Sequence, residues 1–320
     1  MLRRLTVLVA IAFACSCNNA TDRPKQPAAD DKPNDTKVNP KDRPLMDETA
    51  LEFEGPSFTD ADLKAVPNLD KVEMLSLLDT AVTDDGCREL LRARALVEIS
   101  IISDKVSDKT LAVLAQLPAL RSLQIHRGPR IGDEGLRHLS GCIGLRELYL
   151  KETAITDRGL LAIHNLPQVW SLILDGTVVS DEGVAALAEM RQLSLLSLNR
   201  TRVAGHGVAK LRDNEHFNVY LEETPATDEG VIAIAQRISN LKLISVNRTT
   251  VGDRSAKALT KLQNLNDVRF SHTKLTDDGL AAFTSHPFLD VIYVEGCAVT
   301  KAAVNAVKKA SPRELWVYGP

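Results

Sequence analysis

Aromatic residues make up only 4% of the 320 residues, too few for a globule centred on Phe, Tyr and Trp. Neither sign of charge dominates: 39 Lys and Arg stand against 42 Asp and Glu, a formal net charge of −3. That balance gives no bulk attraction for nucleic acid. The five cysteines, Cys15, Cys17, Cys87, Cys142 and Cys297, are spread thinly and make neither a disulfide framework nor a metal-binding spacing. The sequence has no G-x-x-x-x-G-K-S/T, no H-E-x-x-H and no G-x-S-x-G, so the common phosphate-binding, zinc-hydrolase and serine-hydrolase signals are missing. We therefore expect no cofactor, no metal and no catalytic residue.

What the chain does have is repetition. LRELYLKETAITDRGLLAIHNLPQ, residues 145–168, is followed without a gap by VWSLILDGTVVSDEGVAALAEMRQ. The same frame opens about eleven times, at Glu48, Val72, Leu96, Leu120, Leu145, Val169, Leu193, His216, Leu241, Leu265 and Leu289. In each unit the fourth and sixth positions are apolar, as at Leu148 and Leu150, and alternate with outward residues such as Glu147, Tyr149 and Lys151, which predicts a short strand. Leu160, Ile163 and Leu166 then follow at helical spacing. Thr156 and Asp157 predict the helix start, the hydroxyl as N-cap and the carboxylate in the first turn. That Thr/Ser-Asp pair recurs through the chain. Ala204-Gly205 and Thr300-Lys301 break it, and those two helix starts are expected to be the loosest.

One strand and one helix cannot bury their own apolar faces, whereas stacked copies can. The expected fold is α/β: a solenoid with a parallel sheet on the concave side and helices outside. A column of small polar residues at the ninth position, Thr80, Thr153, Thr177, Thr201, Thr224, Thr249, Thr273 and Cys297, is placed to satisfy backbone atoms where the chain leaves each strand. The pattern L-x-x-L-x-L-x-x-T-x-I-T-D-x-G-L resembles the leucine-rich repeats, in particular the short cysteine-containing and GALA-type subclass. That resemblance covers residues 48–312 and implies a horseshoe that binds proteins. GALA-type repeats also occur in F-box adaptors, an alternative reading, but here a signal and a spacer occupy the place of the F-box.

The segment MLRRLTVLVAIAFACSC pairs two arginines with an apolar run and small residues, a secretory signal over 1–17. Two exits are open: cleavage at Ala12-Phe13-Ala14, or a bacterial-lipoprotein-like exit with Cys17, next to Cys15, as the acylated residue. The usual leucine three places before that cysteine is missing. Residues 18–47 are rich in Pro, Asp, Lys and Asn and contain no aromatic residue, which predicts a disordered tether. The repeat domain then runs over 48–320. Placement in the cell envelope, with the membrane held through the lipid, follows from this reading.

The informative surface is the concave face. Its fifth position contains three of the four tyrosines, Tyr149, Tyr220 and Tyr293, and Tyr318 follows beside Trp316. Exposed tyrosines on a sheet have the character of binding hot spots. With Lys151, Glu222, Arg269 and Glu295 they form the expected contact set for a protein partner, captured by a monomeric module that binds and does not catalyse. An enzyme with an unrecognised site would need a deep pocket with convergent polar groups. The loop HRGPRIG, residues 126–132, clusters His126, Arg127 and Arg130 and has two readings, an anion-binding loop or a plain bulge. The remaining cysteines, Cys87, Cys142 and Cys297, fall in separate repeats and are expected to be buried free thiols.

Overall fold

The computed structural model describes residues 49–320. The expected signal over 1–17, the expected tether over 18–47 and Cys17 lie outside the described residues. Twelve strands form one sheet in chain order, each parallel to its neighbours. They are β1 Ala50–Glu54, β2 Met74–Leu78, β3 Glu98–Ile102, β4 Ser122–His126, β5 Glu147–Lys151, β6 Ser171–Ile173, β7 Leu195–Ser197, β8 Phe217–Tyr220, β9 Leu241–Ser245, β10 Asp267–Arg269, β11 Val291–Tyr293 and β12 Trp316–Tyr318. The helices are α1 Asp60–Ala65, α2 Asp84–Cys87, α3 Asp108–Leu114, α4 Asp133–Leu139, α5 Asp157–Ile163, α6 Asp181–Ala186, α7 Asp228–Arg237, α8 Asp253–Leu259, α9 Asp277–Ala281 and α10 Lys301–Ala310. This is the leucine-rich-repeat solenoid, with the parallel sheet as one layer and the helices as the other.

Inward strand residues are sealed between the layers. Leu148, Leu150, Leu172, Leu174, Leu196 and Leu198 are all 0% exposed. Most of the threonine column works as its position requires: Thr177 donates to Leu174 O at 2.7 Å, Thr201 to Leu198 O at 2.6 Å and Thr249 to Val246 O at 2.6 Å, whereas the buried hydroxyl of Thr80 has no partner. In these repeats a carbonyl trapped at the end of the strand thus gains a partner. Cys297 continues the column, its thiol donating to Phe270 O at 2.9 Å.

The Asp after each N-cap does more than meet the helix dipole. Its carboxylate reaches into the next repeat and accepts from the backbone N–H of the following cap and, where that cap is Thr or Ser, from its hydroxyl as well. Asp133 takes Thr156 N at 2.8 Å and Oγ1 at 2.7 Å; Asp157 takes Ser180 N and Oγ, both at 2.7 Å; Asp253 takes Thr276 at 2.8 and 2.7 Å. The repeat glycine makes room for that carboxylate, since a methyl on Gly159 would lie 2.6 Å from Asp133 Oδ1. Where Thr or Ser replaces that glycine, its hydroxyl donates to the same carboxylate: Thr110 to Asp84 at 2.7 Å and Ser255 to Asp228 at 2.5 Å.

The two broken helix starts differ. At Ala204-Gly205 the helix shrinks to a single 3-10 turn, Val208–Lys210, and Thr227 N–H bonds Ala204 O at 3.3 Å in place of a carboxylate. Thr300-Lys301 is the opposite of the expected weak start. Thr300 still donates to Asp277 through its N–H at 2.7 Å and its hydroxyl at 2.9 Å and accepts from Ala303 N, and α10 runs ten residues. Lys301 only ends the carboxylate ladder, because no later cap in the described residues needs one. At the other end Asp62, in the glycine position of the first repeat, bonds Thr59 N at 2.8 Å and Oγ1 at 2.7 Å. It supplies from within the repeat what a preceding aspartate supplies elsewhere.

Candidate interaction surface on the concave sheet

Strand pairing reproduces the fifth-position column, Glu52, Ser76, Ser100, Gln124, Tyr149, Ile173, Ser197, Tyr220, Ser245, Arg269 and Tyr293, and extends it to Tyr318 of the closing strand, each opposite the next. All point to the concave side. Their surroundings divide the face into two regions of different chemistry.

The centre, β3 to β7, is a closed polar network. Gln124 donates to Glu98 at 3.2 Å, Ser122 to Glu147 at 3.2 Å, Tyr149 to Glu147 at 3.4 Å and Ser171 to the Tyr149 hydroxyl at 3.2 Å. Burial, reinforced by the Glu147 charge, pushes Glu98 up to about 7. Burial, then the Lys151 charge, pushes His126 down to about 4. Two expectations fail here. Tyr149 is 8% exposed and Lys151 8% exposed, so neither is an open contact residue. Crowding between strands closes over Tyr149, and Asp175 draws the lysine down into an ion pair at 3.6 Å. His126, placed in the loop over 126–132 by the sequence reading, is the last residue of β4.

A seventh-position ladder continues from there. Asp175 accepts Ser197 Oγ at 2.5 Å and Asn199 N at 3.0 Å, Asn199 Oδ1 accepts Glu222 N at 2.8 Å, and Asn247 Oδ1 accepts Ser271 N at 2.8 Å. Glu222 accepts Ser245 Oγ at 2.6 Å and Asn247 Nδ2 at 3.3 Å. The triplets Asn199-Arg200-Thr201 and Asn247-Arg248-Thr249, which match a glycosylation sequon, therefore have a structural origin: ladder residue, turn residue and buried threonine.

The C-terminal third is open and aromatic. Arg269 lies over the Tyr220 ring at 5.9 Å and the Tyr293 ring at 5.1 Å. Its guanidinium also grips Asp267 through Nε at 3.2 Å and Nη2 at 2.8 Å. Tyr293 stacks on Tyr318, with centroids 4.8 Å apart and planes 13° apart. The strand spacing of a sheet is the same as this stacking distance, so a column of planar groups stacks without adjustment. Trp316 and Tyr318 are 55% and 49% exposed.

A charged rim borders the face at the eighth position, which sequence reasoning passed over. Asp79, Arg127, Glu152, Arg200, Glu223, Arg248 and His272 all have φ between 55° and 58° or just below, at 53° for Glu152, in the left-handed region that favours glycine. Opposite charges pair across repeats: Arg127 with Asp79, Arg200 with Glu152 at 3.1 Å and Arg248 with Glu223 at 3.8 Å. The signal was in the sequence as opposite charges 25 or 48 residues apart. Arg127 is thus committed to Asp79, while Arg130 donates to Asp104 O at 3.0 Å, so the basic loop is a rim element.

Two surface depressions lie on the helical side. One is bordered by Arg88, Lys109, Gln116, Glu134 and His138, the other by Arg137, Ser140, Arg158 and Leu161. Among the described residues no group of three His, Cys, Asp or Glu is placed to hold a metal ion, and none of the described helices is long and apolar enough to cross a membrane. Cys87, Cys142 and Cys297 are free, but only Cys87 is buried as expected; Cys142, just after α4, and Cys297, in the turn after β11, are partly exposed.

No protein-family model matches the chain, and no curated protein does. Among solved structures it is similar to an internalin (inlF) from Listeria monocytogenes, 16% identical, over 84% of this chain and 86% of that one, with a TM-score of 0.53. It is also similar to internalin C2 (inlC2) from the same organism, 21% identical, over 67% of this chain and 84% of that one, with a TM-score of 0.49. At such identity the first likeness concerns the fold alone, and the second adds nothing to it.

Proposed function

We propose that this chain is an exported binding module of the cell envelope that captures another protein on its concave sheet, anchored through a lipid on Cys17 and a spacer over 18–47. The observation that carries the reading is the aromatic column at Tyr220, Arg269, Tyr293 and Tyr318, presented on a sheet that is otherwise closed by its own hydrogen bonds. Large, rigid rings on a preorganised surface lose little entropy on contact and supply most of the energy at protein interfaces. Tyr220, Tyr293, Arg269, Glu222 and Glu295 are the contact residues in this reading. Tyr149 and Lys151 brace the sheet beneath.

The test is retention of a partner from envelope extract by the full chain and by a Tyr220→Ala/Tyr293→Ala variant, compared with Leu161→Glu on the exposed side of α5. Loss with the tyrosine pair and retention with Leu161→Glu supports concave binding; the reverse moves the site to the helices. The anchor is read separately from intact mass, where diacylglycerol on Cys17 is expected and an unmodified chain cleaved after Ala14 overturns it.

A further inference from the structure

Building on the concave-face reading, we infer that the C-terminal third of that face is a receptor for cationic side chains, arginine above all, presented by the protein partner. The molecule already contains one worked case. Arg269 is held between two tyrosine rings, at 5.9 and 5.1 Å, while Asp267 takes its fork, the combination of ring face and carboxylate that suits a guanidinium. One step further along the column the same parts recur without the cation. The Trp316 and Tyr318 rings are half exposed, and Glu295, two residues beyond Tyr293 on the same face, is exposed. No cation among the described residues pairs with it.

The charge on this part of the face points the same way. At the outward positions from β8 onward Arg269 is the single cation, against Asp267, Glu222 and Glu295. Arg269 is spent on Asp267, and the donors on Glu222 are the neutral Ser245 and Asn247. An acidic partner would bring its carboxylates against Glu222 and Glu295. A neutral apolar one would bury Glu295 unpaired, which is costly. A basic segment satisfies both the rings and the acids.

The chain has two tryptophans, so the full chain carrying Trp170→Phe reports on Trp316 alone. The probes are an acetylated octapeptide alternating arginine and serine and the same peptide with citrulline, a neutral isostere, for arginine. A saturable change of Trp316 emission with the arginine peptide is expected. It should be at least tenfold weaker with citrulline, at least tenfold weaker after Glu295→Gln or Tyr318→Leu, and weaker at higher salt. Equal binding of the citrulline peptide, no binding of the arginine peptide, or indifference to both substitutions overturns the inference. Thermal melts of the variants keep a folding defect from being read as lost binding. The parent reading is separated by the captured partner: loss with Tyr220→Ala/Tyr293→Ala but not with Glu295→Gln or Tyr318→Leu leaves concave binding standing and removes the cation site.

Discussion

At Gly159 a methyl would lie 2.6 Å from the Asp133 carboxylate, and this collision makes a prediction that runs against helix propensity. Alanine is the better helix former, yet Gly159→Ala should destabilise by about 1 to 3 kcal/mol through overpacking. Gly159→Ser should cost less, because its hydroxyl can donate to Asp133 as Thr110 and Ser255 donate to their aspartates. Urea melts of the two variants give the order, and a less stable serine variant would show that shape, not the hydrogen bond, governs the position. A second residue-scale prediction concerns protons. Glu98, raised from 4.5 to about 7, contributes stability at low pH that is lost as pH rises through that window. His126, lowered from 6.5 to about 4, contributes stability above 6.5 that is lost as pH falls toward 4. The two oppose each other between 4.5 and 6.5. In Glu98→Gln the urea midpoint should therefore rise more steeply over pH 4.5 to 6.5 than in the parent, and the parent's decline up to pH 7 should vanish. Cys87, pushed up to about 12 by burial, should not react with a thiol reagent at pH 8 until the fold is opened.

At the scale of the element, each helix start depends on its neighbour as much as on its own cap. Thr156 both accepts from Arg158 N at 3.3 Å and donates to Asp133 at 2.7 Å. An N-cap alone contributes about 1 kcal/mol, and the inter-repeat carboxylate adds charge-assisted bonds to it. Asp157→Asn should therefore weaken the helix after it, α6, as well as its own, and amide hydrogen exchange resolves the two. Faster exchange confined to α5 would mean that the ladder contributes nothing across the repeat boundary. The ladder also predicts acid sensitivity. For Asp84 burial opposes ionisation, but hydrogen bonds from Ser107 and Thr110 more than offset it, leaving the carboxyl below its ordinary value. Its stabilisation is present above the unfolded value of 3.8 and is lost as pH falls through the lower folded one.

For the whole molecule, a solenoid is stabilised by nearest-neighbour interfaces, so a weak repeat is felt as a local fault. The repeat from His216 follows one whose helix is a single 3-10 turn, Val208–Lys210, and its cap has lost the aspartate. That junction should be the first to exchange its amides, ahead of the flanking α6 and α7, and slow exchange there would refute it. Leu148→Ala, at a site 0% exposed in the middle of the stack, should cost roughly 2 to 5 kcal/mol by opening a cavity between strands.

Much of this architecture was legible in the residues themselves. Because every repeat meets a copy of itself, one unit's pattern of inward and outward positions is also its neighbour's, and the column from Glu52 to Tyr293 could be read in register before any coordinate was known. The turn threonines followed for the same reason: their role is local, within one strand and its exit. Other features rest on what lies one or two repeats away and on side-chain size, which a single unit's pattern does not contain. Tyr149 sinks because Ser171 and Glu147 bond its hydroxyl, and Lys151 sinks because Asp175 sits beside it. Thr300 holds its helix despite the missing aspartate because the carboxylate it uses belongs to the repeat before. The period of the chain thus sufficed for the fold and the faces, whereas packing between unlike side chains on neighbouring strands decided which part of the concave face stays open.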